Sequence, residues 1–194
     1  MEFIEHQATW TRLRKHGILS EESGDEFHLD LDESTPVEVL DLAAADHPQA
    51  DGLPASIRRL ARAEFGPVVE GIVHKLKLPE VVVIPVGKWR SVFEAVAKPM
   101  SAHAHWREID AAAMVELNTR DPLFFEPAHH HVLRDLIAAV VDARGPATQG
   151  VSVVAVGMRV VIEVLPEGQM IIFLGDRHLV PPVVAIIDQH SATR

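Results

Sequence analysis

The stretch from residue 151 to residue 175, VSVVAVGMRVVIEVLPEGQMIIFLG, constrains the fold more than any other part of the chain. Its first half is rich in β-branched side chains, which favour extended backbone, and Gly157 marks a bulge or a bend within it. The PEGQ segment at 166–169 has the composition of a hairpin connection, so MIIFLG at 170–175 is predicted to return antiparallel. The last quarter of the chain is therefore predicted to be β, with a final strand at 183–188.

The remainder of the sequence mixes extended and helical patterns. FHLDLDE at 27–33 alternates apolar and polar residues, which predicts a half-buried strand, and the apolar run at 80–86 predicts a strand covered on both faces. Pro36, at a first helical position, and Glu38, at a capping-box position, predict a helix over 36–45. The other predicted elements are helices at 1–16, 57–76, 88–98, 106–117 and 127–144, a loop at 19–26 and a short strand at 123–125.

This order of elements indicates the fold class. A regular βαβ alternation is absent, which favours an α+β domain with helices packed on one face of a mainly antiparallel sheet and a C-terminal segment rich in β-hairpins. A length of 194 residues suits one domain, with or without an appendage. The predicted division is an N-terminal appendage at 1–26, a helix followed by an acidic loop, and a single α+β domain at 27–190.

Composition and missing motifs exclude several classes of protein. The chain has no cysteine, which excludes disulfides, thiolate nucleophiles, Fe–S clusters and cysteine-ligated zinc. It lacks a Walker A loop, a GxGxxG turn, a GxSxG elbow and an HExxH helix, so no cofactor is predicted from a motif. The first twenty residues lack a signal-peptide pattern, and no apolar run approaches the roughly 20 residues needed to span a bilayer. We therefore expect a soluble, cytoplasmic protein that does not enter a membrane.

The negative charge is concentrated in one segment. The formal net charge is −10, and residues 16–57 hold eleven acidic residues and no lysine or arginine. Such a segment repels phosphate backbones, so we expect no nucleic-acid partner. It suits a basic protein partner, whereas the Ala- and Val-rich helical faces suit self-association as a homodimer. The alternative is a solvated acidic surface that aids solubility.

Two groups of histidines are candidate metal ligands. In HAHW at 103–106, extended backbone would place the first and third side chains on the same side. In EPAHHH at 126–131, three histidines occupy a first helical turn about 100° apart, so at most two could share one ion. The four candidate ligands, for a divalent metal such as zinc, are His103, His105, His129 and His131. A metal site shared by the two groups would require them to lie close together in the folded chain. The alternative is a polar first turn of a helix beside an exposed loop.

Two further groups combine residues that serve acid–base chemistry. Asp176, Arg177 and His178 in GDRH are candidate catalytic residues, and the alternative is a turn with a surface ion pair. The polar residues His28, Asp30 and Asp32 share one face of the strand predicted at 27–33. They could bind a hard cation, or they could be the charged, solvated face of an edge strand.

Three functions follow from these observations. The first is a non-enzymatic interaction or adaptor domain with an acidic N-terminal surface, which needs no catalytic motif. The second is a metal-dependent hydrolase, in which clustered histidines hold an ion that lowers the pKa of bound water to about 7. The third is a small-molecule-binding domain with a pocket near residues 176–178, at the end of the C-terminal sheet.

Overall fold

The computed structural model describes residues 1–34, 36–48, 54, 56–78, 80–112 and 119–191 of the chain. These residues form an α+β fold, as the sequence predicts. The strands are β1 (Glu2–Phe3), β2 (Ile18–Ser23), β3 (Glu26–Leu31), β4 (Glu38–Ala44), β5 (Arg58–Leu60), β6 (Val81–Pro85), β7 (Leu123–Phe125), β8 (Val151–Ala155), β9 (Val160–Leu165) and β10 (Gln169–Leu174). The helices are α1 (His6–Lys15), α2 (Phe65–Lys75), α3 (Trp89–Met100), α4 (Ala104–Ala112), α5 (His130–Asp142) and α6 (Val180–His190).

Eight strands form one sheet in the order β1-β7-β6-β8-β9-β10-β4-β5, and β2 and β3 form a separate hairpin. All neighbours in the large sheet are antiparallel except β4 and β5, which are parallel. The stretch at 151–175 lies at the centre of the sheet as β8, β9 and β10. Gly157 lies in the turn between β8 and β9 with φ of 94°. Glycine adopts such a φ without steric cost, so the predicted bend is a complete reversal of the chain.

One face of the large sheet carries the main core. Alternate residues of the central strands, such as Val153, Ile162 and Ile172, pack beneath α2, α3, α5 and α6 and are at most 2% exposed. Helices α2 and α5 approach each other closely at Gly66, where an added Cβ would lie 2.4 Å from the carbonyl oxygen of Arg134. The predicted packing of helices on one face of a mainly antiparallel sheet is thus confirmed.

The opposite face is covered in part by α1 and the β2–β3 hairpin. Trp10 and Leu13 of α1 and Ile18 of β2 are buried against residues of β6, β8 and β9, including Val82 and Val154. The predicted loop at 19–26 is therefore wrong, because most of it is strand β2. The end of the predicted appendage at residue 26 falls at the first residue of β3, and β1 pairs with β7 in the large sheet. The division into 1–26 and 27–190 stays a prediction that truncation can test.

Two other elements differ from prediction. Residues 38–44 form a strand, because Leu40, Leu42 and Ala44 alternate toward the helices while intervening residues face the other way. Residues 180–190 form a helix, because Val183 and Ile186 lie three positions apart on its buried side. The predicted helix at 36–45 and the predicted final strand at 183–188 are both wrong.

The other helices and strands lie close to their predicted positions. The helix predicted at 57–76 is shorter, beginning at Phe65, and β5 precedes it. The end of the helix predicted at 106–117 lies outside the described residues. Across the described ranges, every helix is too short or too polar to cross a membrane.

Candidate functional site

The histidines of the two predicted groups meet between α4 and α5. His103 immediately precedes α4 and His105 lies in its first turn, whereas His129 and His131 flank the first residue of α5. The ring centroids of His103 and His131 are 6.1 Å apart, and those of His105 and His129 are 4.8 Å apart. The premise of extended backbone at 103–105 is wrong, since helix α4 begins at residue 104. Two pairs of rings, each with one member from either group, nevertheless lie side by side, and we call these four residues the histidine cluster.

Acidic side chains border the histidine cluster. His103 Nε2 lies 3.2 Å from Asp135 Oδ2, and Asp135 is also four residues after His131 on α5. His105 Nδ1 lies 3.3 Å from Glu108 Oε2. Among the described residues, no group of three His, Cys, Asp or Glu side chains is placed so that it could hold a metal ion.

The middle residue of the histidine run has a different environment. His130 is only 6% exposed, and its ring centroid lies 5.6 Å from that of His74. Burial, followed by the nearby His74, lowers the pKa of His130 and favours the neutral ring. Burial also lowers the pKa of His129, and the neighbouring amino terminus and His105 act in the same direction. One ring of the run thus packs at the edge of the core, while the others face α4.

A second arrangement of titratable groups lies under the hairpin. His28 Nδ1 is 2.9 Å from Glu163 Oε2, and His28 Nε2 is 3.1 Å from Glu26 Oε2. The Glu163 side chain is 6% exposed and that of His28 is 33% exposed. Burial raises the pKa of Glu163 more than His28 lowers it. Burial acts to lower the pKa of His28, but the hydrogen bonds and charges of Glu163 and Glu26 outweigh it and raise the pKa.

Sequence reasoning missed Glu163, although the sequence carries a signal for it. Glu163 is the single charged residue in the apolar run VVIEVL of β9. A carboxyl group at a buried strand position requires a partner, and the chain supplies His28. The cross-strand neighbour of Glu163 on β8 is Ser152, whose buried hydroxyl has no hydrogen-bond partner among the described residues.

The remaining predicted residues are not gathered into one site. Asp30 accepts a hydrogen bond from the backbone N–H of Leu31, and Asp32 accepts one from that of Ser34, so neither joins His28. Asp176, Arg177 and His178 lie on an exposed turn between β10 and α6. Their side chains are 59%, 76% and 73% exposed, the His178 ring lies 3.1 Å from Asp176, and Arg177 lies 3.5 Å from Glu38.

A groove lies between the hairpin and the uncovered part of the large sheet. Its volume is about 360 Å³. Its apolar side comes from β4 and β10, where Val39 is 48% exposed and Phe173 is half-buried. Its lining includes Asp30, Leu31, Glu33, Val37, Val39 and Phe173. We call this feature the β3–β4 groove.

The groove has an acidic border. Asp30 and Glu33 line it, and Asp41 follows Val39 on the same face of β4. Among the described residues, these three carboxylates form no ion pair with Lys, Arg or His. Two arginines lie nearby: Arg59 of β5 pairs with Ala43 at the edge of the sheet, and Arg159 donates a hydrogen bond to the backbone oxygen of Asp32, between Leu31 and Glu33. Asp30, Glu33 and Asp41 thus place negative charge beside the exposed side chain of Val39.

Comparisons of the chain with protein-family models, with curated proteins and with solved structures found no match.

Proposed function

We propose that the protein is a non-enzymatic interaction domain that binds a basic segment of a partner protein in the β3–β4 groove. The observation that carries the proposal is the apolar lining of the groove, with Val39 exposed and Phe173 half-buried, beside three carboxylates that form no ion pair among the described residues. Contiguous apolar surface with a polar border is typical of protein interaction sites, and the groove joins Val39 to Phe173 and Val37. The partner segment has lysine or arginine side chains next to at least one apolar side chain.

Burial of apolar side chains and attraction between charges have different roles in binding at such a groove. Burial of Val39 and Phe173 would supply affinity, at about 25 cal/mol for each Å² of apolar surface removed from water. Asp30, Glu33 and Asp41 would attract a basic segment and select against acidic ones, and this attraction weakens with salt. Residues 16–57 contain no lysine or arginine, so the hairpin and β4 themselves contribute neither side chain to the border.

A fluorescence-polarisation titration tests the proposal with two labelled peptides of alternating sequence. One peptide alternates Lys with Val and the other alternates Glu with Val, so that they differ only in charge. We expect the basic peptide to bind and the acidic peptide to fail. Replacing Asp30 and Glu33 together by Lys should raise the Kd of the basic peptide by tenfold or more, since two attractive contacts become repulsive.

The chain offers a matched control for the apolar part of the groove. Leu19 of β2 is 49% exposed, as Val39 is 48% exposed, but it does not line the groove. Val39→Ser should weaken peptide binding, whereas Leu19→Ser should leave it unchanged. Equal binding of the two peptides, or an equal effect of the two substitutions, would contradict the proposal. If the free protein sediments as a dimer and the Val39→Ser variant sediments as a monomer, the groove binds a second copy of the chain instead.

A further inference from the structure

We infer that a cavity beside α1 and the β2–β3 hairpin binds a small organic molecule that carries a phosphate or carboxylate group. The volume of the cavity is about 420 Å³, which lies within the usual range for small-molecule sites. It shares no lining residue with the β3–β4 groove, so the inference does not depend on the proposed interaction function. We call it the basic cavity, because three basic side chains line it: Arg14, Lys88 and Arg120.

Two of the three cations of the basic cavity have no partner of opposite charge. Arg14 in the last turn of α1 and Lys88 immediately before α3 are both exposed. Among the described residues neither forms an ion pair, whereas Arg12, on the same helix as Arg14, pairs with Glu80. The charges of Arg14 and Lys88 are therefore available to an anion that enters the cavity.

The third cation, Arg120, is held in place by the walls of the cavity. Its Nε donates a hydrogen bond of 2.7 Å to the carbonyl oxygen of Gly87, and its Nη2 donates one of 3.0 Å to that of Asp25. Its guanidinium carbon lies 5.4 Å from the centre of the Phe27 ring. An arginine side chain has five N–H groups, so donors remain for a ligand although the position of the cation is set before binding.

Backbone hydrogen bonds connect the chain segments around the basic cavity. The N–H of Phe27 donates to the carbonyl oxygen of Val86 at 2.7 Å, which ties the hairpin to the end of β6. The backbone N–H of Trp89 donates to the carbonyl oxygen of Thr119, and its indole Nε1 donates to that of Asp121. The start of α3 is thus tied to the segment before β7. Walls that are already connected lose little conformational entropy when a ligand binds.

Two carboxylates also line the basic cavity and oppose an anion. Glu22 Oε1 lies 3.7 Å from Arg120 Nη1, which is too long for a hydrogen bond, and the Glu22 side chain is 69% exposed. So exposed a pair is weak, and Glu22 offsets only part of the charge of Arg120. Asp121 is the second carboxylate. Three cations and two carboxylates leave a formal charge of +1 in the lining, which suits one anionic group rather than a polyanion.

The lining also indicates which part of a ligand is recognised. Arginine and lysine side chains bind phosphate and carboxylate oxygens through charge-assisted hydrogen bonds. The hydroxyl groups of Ser20 and Thr119 line the same cavity and can donate to the same kinds of oxygen. Trp10 and Phe27 are each 6% exposed, so they offer little apolar surface to a ligand. The anionic group therefore supplies most of the specificity.

An NMR titration of ¹⁵N-labelled protein with phenyl phosphate, benzoate and benzyl alcohol tests the inference. The three probes share a phenyl ring and differ in whether they carry a phosphate, a carboxylate or a neutral hydroxyl group. We expect at least one anionic probe to bind with a Kd of roughly 1–10 mM, as for a ligand of about ten atoms, and benzyl alcohol to fail. Binding should shift the indole N–H signal of Trp10, which lines the cavity, and leave that of Trp106 unchanged. Comparison of the two anions shows whether phosphate or carboxylate is preferred.

Two charge-reversed variants of equal net charge separate the cavity from the general electrostatics of the protein. Replacing Arg14 and Lys88 together by Glu should raise the Kd of the bound anion at least about tenfold. Replacing Lys15 and Lys98 together by Glu changes the net charge equally at exposed positions that do not line the cavity. This control should change the Kd by less than about twofold.

Glu22→Gln provides a variant with the opposite expected sign. It removes an opposing charge from the lining, so it should lower the Kd by about two- to fivefold, a gain that a damaged fold would not produce. Three results would each overturn the inference: equal binding of benzyl alcohol and the anions, no shift of the Trp10 indole signal with either anion, or an equal effect of the two double variants.

Discussion

Replacement of His28 by alanine should destabilise the protein far more than its partial exposure suggests. The substitution leaves Glu163, whose side chain is 6% exposed, without the imidazole that now lies 2.9 Å away. Removal of one partner from a buried ion pair costs about 3–5 kcal/mol. His28 is 33% exposed, and Glu163 can take up a proton because burial already raises its pKa, so we expect a smaller loss. The expected decrease in the free energy of unfolding at pH 7 is about 1–3 kcal/mol.

Urea unfolding followed by circular dichroism measures this decrease, and the m-value must stay constant for the comparison to hold. The control is His178→Ala, which breaks a histidine–carboxylate pair of similar length, 3.1 Å, whose side chains are 73% and 59% exposed. It should change the free energy of unfolding by less than about 0.5 kcal/mol. If His28→Ala lowered the free energy of unfolding no more than His178→Ala does, burial of Glu163 would not explain the contribution of the pair to stability.

A double variant separates pairing from packing. Replacing His28 and Glu163 together by leucine removes the buried carboxylate along with its partner. Such exchanges are often neutral or stabilising, so the double variant should be more stable than His28→Ala alone. A double variant less stable than the single one would show that the site requires polar side chains.

Three other predictions follow from described features. Both pKa values of the His28–Glu163 pair are raised, so the folded state holds more protons than the unfolded chain over a range that begins at about pH 4.5, where Glu163 titrates when unfolded, and includes the region just above pH 6.5, where His28 does. The stability of the wild type relative to Glu163→Gln should therefore fall as pH rises through this range in urea titrations, and a difference that grows with pH would contradict the sign. Lys77 has φ of 51° just after α2, a backbone conformation that glycine adopts more easily than lysine, so Lys77→Gly should stabilise the protein by about 0.5–1 kcal/mol. An unchanged or lower Tm would contradict this prediction. Deletion of residues 1–26 uncovers Val82 and its neighbours and should leave an aggregated or unfolded remainder by sedimentation and circular dichroism, whereas a folded, monodisperse remainder would support the predicted appendage.

The parts of the fold that sequence predicts well are those where a single periodicity is present. The stretch at 151–175 contains β-branched runs interrupted by glycine-containing turns, and its three strands follow from that pattern. Residues 36–45 carry conflicting signals, because the helix-start residues Pro36 and Glu38 precede a segment that also alternates. Pairing of β4 with β10 in the sheet decided the outcome there. The apolar run at 183–188 is short enough to fit a strand or a buried helix, and in the fold it is a helix that packs against α2.

Candidate sites are harder to predict, because their residues come from distant parts of the chain. Sequence identifies His103 and His131 as members of two groups, but their meeting depends on how α5 packs against α3 and α4. Glu163 is visible as an acid in an apolar strand, yet its partner lies 135 positions away at His28. No local pattern specifies that pairing, since it results from the hairpin folding over the sheet.

The strand order also affects how the protein folds as it is synthesised. Strand β6 lies beside β8, and β4 lies beside β10. Two strands from the first half of the chain therefore pair with strands that are synthesised much later. At 5–20 residues per second, the interval between Pro85 and Val151 lasts roughly 3–13 s. Throughout that time the ribosome presents the fully apolar segment Val81–Pro85 without its β8 partner. Chaperones that shield extended apolar chain therefore have a defined target and a defined time window on this nascent polypeptide.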